Sequence, residues 1–548
     1  MLAYFLAVVV ALTGTGGQSE KNKLHYRIKP VQTSDRTILE ISLRFKADNS
    51  DPVQVKLPVD CFGTPDIHRY VTKFEAEAGT SISSGAQDTE RVVRPSPDGM
   101  VSLRYVLSYD PKEMDNYPYA PNTRSNYFHV AGCQWLLRVG DGEQELPISV
   151  EIVDAPKSWR LYSSIDQNAA HFETIASYEK LSSSAIGGGG ESYSFNVRQK
   201  PVSIFVHGKF DIPNRELFAA VERIVRLERD WFSDYEQPFY HVVVAPRSGV
   251  TAGYAPQNAF INFVRETITR DELNLLLAHE MFHYWLPNKI KIEQDEKYSD
   301  VRYEWFYEGF TDYFAPRILL EAGLITPEQS AEQINKAILN IADNPHRTET
   351  YEDFMAAVKE GRFDSRYKKL SYHRGALIAL NWDTQLRRTG EKRDLSDFIR
   401  ELYFLARKSN GKIPEQAFFD FASRYGIDAK GDLERYIMRG EAIRPAPDAR
   451  LGNFEMRETE KPLFDPGFSL ERTRKTGVIS DLAEDTAAYR AGLRNGMAFV
   501  RARNANRFSN SWQAEQPLVV VVKVDGRERT IEFFPHGKSE KLLLFHPR

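Results

Sequence analysis

The chain has 548 residues, of which 42% are hydrophobic and 27% are charged, and its formal net charge at pH 7 is -4. This composition is typical of a soluble globular protein, and the length suits about three or four domains. The small net charge and the lack of a Lys/Arg-rich tract argue against a nucleic-acid partner, so we expect the partners to be peptides or proteins.

The chain begins with an apolar run, residues 2–12, which small and polar residues follow. The run is too short to span a bilayer and is typical of a signal peptide, although no Lys or Arg precedes it. We therefore expect residues 1–18 to be a signal peptide and the protein to be secreted or periplasmic. A cytoplasmic protein with an irregular N-terminus is the alternative. No other segment approaches a transmembrane span.

Short runs of alternating apolar and polar residues, separated by Pro, Asp and Gly, fill residues 24–154. Alternation with a period of two predicts strands, and we expect a β-sandwich-like domain over residues 19–180. The only two cysteines, Cys61 and Cys133, lie in this region and predict either one disulfide or two buried thiols. Residues 182–191 contain four consecutive glycines and predict a flexible loop or linker.

Two apolar segments, residues 202–208 and 239–245, predict buried strands, and residues 214–232 between them predict an amphipathic helix. The next helix is predicted to start at Thr269, because a glutamate three residues later completes a capping box. Pro287 predicts where that helix stops.

This helix carries the sequence His279-Glu-Met-Phe-His283. Residues four apart lie on the same face of a helix, so both imidazoles can bind one metal ion. Glu280 lies beside them, where a general base can take a proton from a metal-bound water. The alternative is a chance occurrence of this short motif on an ordinary helix.

The aromatic segment that follows, residues 304–314, predicts a third ligand. A catalytic zinc ion takes three protein ligands and keeps one open position. Glu308 is the expected ligand, and Asp312, one helical turn later, can hold the free ring nitrogen of a ligand histidine. Carboxylates among so many aromatic residues need a partner, which argues against a solvated helix face. The sequence thus predicts one zinc ion per chain, bound by His279, His283 and Glu308.

The pattern stays mainly helical to about residue 438, and we expect the catalytic domain to span residues 195–443. Pro445-Ala-Pro447 predicts a linker. Residues 460–548 return to short strands with one helical insert and end in a predicted hairpin through Asp525-Gly526.

Three motifs, within residues 279–285, 305–313 and 372–380, resemble the glycyl-aminopeptidase family of zinc peptidases. The resemblance implies a multidomain α+β protein with an N-terminal β-sandwich-like domain and a mainly helical, thermolysin-like (gluzincin) catalytic domain. It also implies a C-terminal PDZ-like β domain over residues 460–548, because residues 488–497 match the pattern "A-G-L-x-x-G". Such a domain can bind the C-terminal peptide of a partner.

The resemblance also implies a role for Tyr372. In related enzymes a tyrosine just before a Lys/Arg-Gly pair donates a hydrogen bond to the tetrahedral oxyanion, and Arg374-Gly375 is that pair here. A phenol suits this role because it donates without carrying charge. The alternative is that Tyr372 only packs, and we expect His373 to be an ordinary surface histidine.

One position departs from the family pattern. Aminopeptidases of this type carry a glutamate in a glycine-rich edge strand, where it pairs with the α-ammonium of the substrate. Ala255 occupies that position here, and a buried ammonium without a carboxylate is strongly unfavourable. Another acid must substitute, with Glu266, Asp295 and Glu304 as candidates, or the enzyme cuts within peptides.

Peptide binding is expected along an edge strand within residues 253–263, which can pair with an extended substrate. In that strand, Gly253, Tyr254 and Asn258 are the residues that we expect to contact the peptide.

The expected reaction is metal-assisted hydrolysis of peptide bonds, aminopeptidase-like in its mode. Zinc lowers the pKa of its bound water, Glu280 carries the proton to the leaving amine, and Tyr372 and zinc bind the oxyanion. Two alternatives are an endopeptidase of the same fold and a PDZ peptide-binding scaffold with a vestigial protease site.

Overall fold

The computed structural model describes residues 23–47, 51–248, 251–294, 300–360, 365–390, 393–503, 514 and 516–548. The predicted signal peptide, residues 1–18, lies outside these residues. Among the described residues, no helix is both long enough and apolar enough to cross a membrane. The protein is a mixed α+β protein, and the chain divides into two compact units. The first unit is residues 1–222 with 234–273, and the second is residues 223–233 with 274–548.

Strands dominate the first unit. They are β1 Leu24–Gln32, β2 Thr37–Lys46, β3 Val53–Lys56, β4 Val71–Ala76, β5 Ser81–Ser84, β6 Glu90–Arg94, β7 Met100–Leu107, β8 Asn122–Arg124, β9 Tyr127–Ala131, β10 Arg138–Val139, β11 Leu146–Ile152, β12 Leu161–Ser163, β13 His171–Ala176, β14 Ala185–Gly189, β15 Glu191–Val197, β16 Lys200–Val206, β17 Tyr240–Pro246, β18 Ala252–Tyr254 and β19 Ala259–Val264. Its short helices are α1 Pro111–Met114, α2 Gly132–Trp135 and α3 Tyr178–Ser182, with a 3₁₀ turn at Ile67–Tyr70.

The strands before residue 190 form three sheets, in the orders β13-β11-β1-β2-β7-β4, β10-β3-β6-β5 and β12-β14-β9-β8. Side chains of a strand alternate between its two faces, and in β2 this alternation buries Leu39, Ile41 and Leu43 in the core. The prediction of a strand-rich region over residues 24–154 is confirmed.

Cys61 and Cys133 form a disulfide across a sequence separation of 72 residues. Both cysteines are buried in the main hydrophobic core of the first unit. The structure therefore selects the disulfide from the two alternatives that the sequence left open. In the chain-entropy model, such a bond stabilises the fold by restricting the unfolded chain.

The prediction of a flexible loop or linker at residues 182–191 is wrong. Strand β14 lies in this segment, is buried along its whole length and pairs antiparallel with both β9 and β12. Its glycines allow close packing, because a Cβ at Gly187 would overlap the ring of Tyr162 and one at Gly188 would crowd the side chain of Leu161. The glycine run therefore marks a close approach between strands rather than a mobile segment.

A five-stranded sheet, in the order β15-β16-β17-β19-β18, completes the first unit. Strands β16, β17 and β19 run parallel to one another, whereas β15 and β18 pair antiparallel at the two edges. The strands predicted at residues 202–208 and 239–245 are confirmed. Within residues 253–263, only β18 forms the edge, since β19 is buried between two neighbours.

Helices dominate the second unit, and two of them, α4 Asn214–Phe232 and α5 Arg270–Phe282, contribute to both units. The other helices are α6 Glu304–Glu321, α7 Pro327–Ala342, α8 Tyr351–Lys359, α9 Ser365–Arg388, α10 Leu395–Arg407, α11 Glu415–Arg424, α12 Ala429–Asp432, α13 Leu470–Thr476 and α14 Ala487–Arg490, with a 3₁₀ turn at Asp300–Tyr303 and a π-helical turn at Leu433–Met438. The strands are β20 Lys291–Glu293, β21 Lys412–Pro414, β22 Arg450–Leu451, β23 Phe454–Phe464, β24 Ala498–Arg503, β25 Leu518–Val524, β26 Arg527–Phe533 and β27 His536–Pro547. The helix predicted over residues 214–232 is confirmed.

The C-terminal strands of the second unit form a long antiparallel ribbon, β23 with β27, and a separate sheet in the order β24-β25-β26. The hairpin through Asp525-Gly526 is confirmed, and both turn residues have positive φ, as a type I′ turn requires. The ribbon contacts α7 through two hydrogen bonds. The Asn335 side-chain N–H donates to the Phe545 carbonyl at 3.0 Å, and the Phe545 backbone N–H donates to the Asn335 side-chain oxygen at 2.7 Å. The PDZ-like identity of residues 460–548 and the other domain boundaries stay predictions.

Candidate metal centre

Helix α5 begins where the sequence predicted. The Thr269 N–H donates to the Glu272 carboxylate at 2.9 Å, and the Glu272 N–H donates to the Thr269 hydroxyl at 3.3 Å, which completes the capping box. The helix ends at Phe282, earlier than Pro287 alone predicted. Proline disfavours helical conformation in the residue before it, so the chain has already passed into turns there. His283 directly follows the last helical residue.

Aromatic side chains pack α5 against α6 and the second half of α4. Phe282 and Phe314 stack with their ring centroids 5.3 Å apart. Trp231 of α4 contacts both rings, at 5.8 and 5.2 Å. This packing of large apolar rings from α4, α5 and α6 holds the histidine-bearing end of α5 beside α6.

Helices α6 and α9 cross at a pair of glycines, Gly309 and Gly375. A Cβ on either glycine would overlap the backbone of the opposite helix. The absence of both side chains therefore lets the two helices approach closely, and Glu308 of α6 lies one residue before this crossing. Tyr372 lies three residues before it on α9, so the crossing brings both residues to the same place.

The structure brings the three predicted ligands together. The Nε2 atoms of His279 and His283 are 3.0 Å apart. The Oε2 atom of Glu308 lies 3.2 Å from the first and 3.3 Å from the second. Of the described residues, these three form the one group of histidines, cysteines and carboxylates whose spacing can hold a metal ion.

The hydrogen bonds of the two histidines show what this group is suited to bind. His283 Nδ1 lies 2.8 Å from the Leu286 carbonyl, which can only accept, so this nitrogen carries a proton. His279 Nδ1 lies 2.8 Å from the Asp312 carboxylate, as the sequence predicted. With Nδ1 protonated in this way, a neutral form of each ring has its Nε2 lone pair directed at the other ring and at the Glu308 oxygen. Three facing acceptors repel one another unless a cation lies between them, so the donor set fits a metal ion.

The charges of the carboxylates at this centre also favour the presence of a positive charge between the three ligands. Burial alone would lower the pKa of His279, but hydrogen bonds with Asp312 and Glu308 raise it to about 10. Burial alone would raise the pKa of Glu308, but hydrogen bonds from the two histidines lower it far below its usual range. The carboxylates therefore attract positive charge, which either two protons or one divalent cation can supply.

Glu280 and Tyr372, the two predicted catalytic residues, both lie at this centre. The Glu280 carboxylate is half-buried and exerts its charge on both histidines and on Tyr372. The Tyr372 ring is parallel to the His279 ring, with the centroids 6.1 Å apart, and the Lys369 ammonium lies 3.7 Å from its centre. Burial, and then the charges of Glu308 and Asp312, raise the pKa of the Tyr372 phenol, so it remains a neutral donor.

The expectation that His373 lies at the surface is wrong. Its side chain is buried on α9, and its Nε2 atom lies 3.5 Å from the Asn340 amide. Burial lowers the pKa of this imidazole to about 4, so the ring is neutral at neutral pH.

The predicted substrate-contacting residues belong to the first unit. Gly253 and Tyr254 lie in the edge strand β18, and the Tyr254 hydroxyl is 3.0 Å from His129 Nε2. Asn258 precedes β19 with a positive φ of 58°, and its buried amide donates to the Ser164 carbonyl at 3.3 Å. Its side chain therefore already serves the internal structure of the turn.

One residue near the centre, Glu228 of α4, was missed in the sequence. It is fully buried, its carboxylate has no hydrogen-bond partner among the described residues, and its charge acts on His279. Burial raises the pKa of Glu228 well above its usual range. The sequence did indicate that Glu228 is buried, because it lies at helical spacing on the apolar face that Val221, Ile224 and Val225 form.

Comparisons with known proteins show what this chain is similar to. Residues 272–378 match the family model of the M61 glycyl aminopeptidases. An aminopeptidase N family protein from Idiomarina loihiensis has the same fold, with a TM-score of 0.68 and 16% identity over 96% of this chain and 98% of that one. An M1 zinc metallopeptidase from Deinococcus radiodurans matches with a TM-score of 0.41 and 14% identity over 78% of this chain and 94% of that one. Yeast LTA4 hydrolase in complex with bestatin matches with a TM-score of 0.40 and 14% identity over 78% and 69% of the two chains. No curated protein matches the sequence.

Proposed function

Because residues 272–378 match the family model of the M61 glycyl aminopeptidases, we propose that this zinc metallopeptidase hydrolyses peptides from their amino-terminal end. The observation that carries the proposal is the convergence of His279, His283 and Glu308. Their facing acceptor atoms lie within 3.0 to 3.3 Å of one another. With Glu280 and Tyr372 beside them, they form the constellation that a metal-dependent hydrolase needs.

Zinc is the cation that this donor set suits best, because two imidazoles and one carboxylate leave one coordination position open. We propose one zinc ion per chain, and its contribution is that of a Lewis acid that activates water and polarises the scissile carbonyl. Asp312 and the Leu286 carbonyl hold the two imidazoles in the tautomer that offers Nε2 to the ion.

Two residues of the chain handle the proton and the developing charge. Glu280 takes a proton from the attacking water and delivers it to the leaving amine. Tyr372 donates its phenolic hydrogen to the oxyanion of the tetrahedral intermediate. The raised pKa of the Tyr372 phenol supports this assignment, because a protonated phenol is needed as the donor.

Substrate binding is proposed along β18, where Gly253 and Tyr254 pair with an extended peptide and Asn258 shapes the turn that follows. The edge position of β18 supports this, since an edge strand has unpaired backbone groups on one side. We also propose that the PDZ-like segment, residues 460–548, binds C-terminal peptides.

Export to the periplasm or the exterior is proposed for the mature protein. The apolar run at residues 2–12 supports it, as does the Cys61–Cys133 disulfide, since such bonds persist mainly in oxidising compartments.

Digestion of two matched peptides, one with a free amino terminus and one N-acetylated, tests the proposed function. Mass spectrometry is expected to show stepwise removal of residues from the free peptide and little change in the acetylated one. Internal cleavage of both peptides would instead support the endopeptidase alternative that Ala255 raises. Binding without cleavage of either peptide would contradict the proposal and favour a scaffold with a vestigial site.

A further inference from the structure

Lys369 lies about one helical turn before Tyr372 on α9, and its side chain is half-buried. Its ammonium nitrogen is 3.7 Å from the centroid of the Tyr372 ring. This distance is well inside the limit of about 6 Å at which a cation and an aromatic face attract each other. The proposed hydrolytic mechanism uses Tyr372 but assigns no role to this cation.

The aromatic ring is the partner of the Lys369 ammonium. Lys369 forms no ion pair with any residue that the structure describes. Asp295, one of the acids that the sequence offered for substrate binding, lies outside those residues. The charge of Lys369 nevertheless acts on Asp312, the carboxylate that lies 2.8 Å from His279 Nδ1. Lys369 therefore brings positive charge both to the face of the phenol and to the edge of the metal centre.

The Tyr372 phenol also lies among negative charges, since Glu280, Glu308 and Asp312 all act on it. A hydroxyl that donates to an oxyanion takes up part of the negative charge, and nearby carboxylates oppose that change. A cation over the ring counters the carboxylates, and its attraction grows as the ring becomes more negative. The contact is therefore stronger in the transition state than in the resting enzyme, which is the condition for a faster reaction.

We propose that Lys369 is a positioning residue for Tyr372: its ammonium holds the phenol ring in place and stabilises the charge that the ring takes up as its hydroxyl donates to the oxyanion. This inference rests on the proposed function, because it concerns the donor that the same hydrolytic centre uses.

Lys369→Met removes the charge but keeps a long, unbranched side chain. We expect kcat for peptide hydrolysis to fall by about 10-fold, the size of effect that a partly desolvated cation–π contact supplies. KM should change little, because the stabilised charge arises after the substrate has bound. Steady-state kinetics, with zinc measured on the same samples, gives these quantities. Lys368→Met, which removes the adjacent and exposed ammonium of α9, is the matched control and should keep wild-type kcat.

A double-mutant cycle with Tyr372→Phe shows whether the cation acts through the phenol. Once the hydroxyl is absent, adding Lys369→Met is expected to lower kcat further by less than about 2-fold, since the charge that the ammonium stabilises no longer forms on the ring. Lys369→Arg keeps a cation that can lie over the ring and should recover most of the lost kcat. A purely structural role for Lys369 would give neither the coupling nor the recovery.

The outcomes separate this inference from the proposed function. If the wild-type protein hydrolyses peptides and Lys369→Met keeps wild-type kcat, the role of Lys369 is wrong and the peptidase function stands. A rise in KM alone, or a loss of kcat that is equally large in the Tyr372→Phe background, would also overturn it, because the cation would then act on the substrate directly. Loss of bound zinc in Lys369→Met would overturn it as well, since the residue would then support the metal. If the wild-type protein hydrolyses no peptide, the proposed function fails and this inference fails with it.

Discussion

Glu280→Gln is expected to lower kcat for peptide hydrolysis by about 10³-fold, within the range that a general base contributes. The carboxamide has nearly the shape of the carboxylate but cannot accept the proton of the attacking water. The ligands His279, His283 and Glu308 are unchanged, so the variant should bind zinc as tightly as the wild type does. Steady-state kinetics on a free peptide, with zinc measured on the same sample, gives both quantities.

The matched control for this experiment is Glu321→Gln, which neutralises an exposed glutamate at the far end of α6, outside the centre, and should keep wild-type kcat. Wild-type activity in Glu280→Gln would remove Glu280 from the mechanism. A loss of activity together with a loss of zinc would show instead that Glu280 supports the metal.

Tyr372→Phe has the second-largest expected effect, a fall in kcat of about 10²- to 10³-fold, as is typical when one oxyanion donor is removed. Only the hydroxyl is lost, and the ring keeps its place beside His279 and under the Lys369 ammonium. Because the oxyanion exists only in the transition state and the intermediate, KM should change little. Steady-state kinetics that resolve kcat from KM provide the check.

Tyr367→Phe removes a hydroxyl from the same helix α9, at a buried tyrosine that stacks on His346 with the centroids 3.7 Å apart. This variant should keep wild-type kcat, which shows that loss of a phenol from α9 is not itself harmful. If Tyr372→Phe also kept wild-type kcat, the alternative that Tyr372 only packs would be correct.

Those features of the metal centre that depend only on local helix geometry could be predicted from the sequence. The capping box of Thr269 and Glu272 and the four-residue spacing of the two histidines both depend on helix geometry alone. The spacing of Glu308 and Asp312 obeys the same rule, and the structure places Asp312 on His279 Nδ1. Such features need no knowledge of distant contacts.

Features that depend on distant contacts could not be predicted in the same way. The run Gly187 to Gly190 has the composition of a linker, and only the neighbouring strands and Tyr162 show that its glycines permit close packing. His373 looked like a surface residue because its burial depends on how other helices cover α9.

Peptide hydrolysis by this chain is expected to depend on one metal ion held by His279, His283 and Glu308. Stepwise addition of zinc to metal-free protein, with the hydrolysis rate measured after each addition, tests it most directly. The rate should rise from near zero and level off at about one zinc ion per chain, and Glu308→Ala should need far more zinc to reach any activity. Full hydrolysis by the metal-free protein, or an unchanged zinc dependence in Glu308→Ala, would contradict the account.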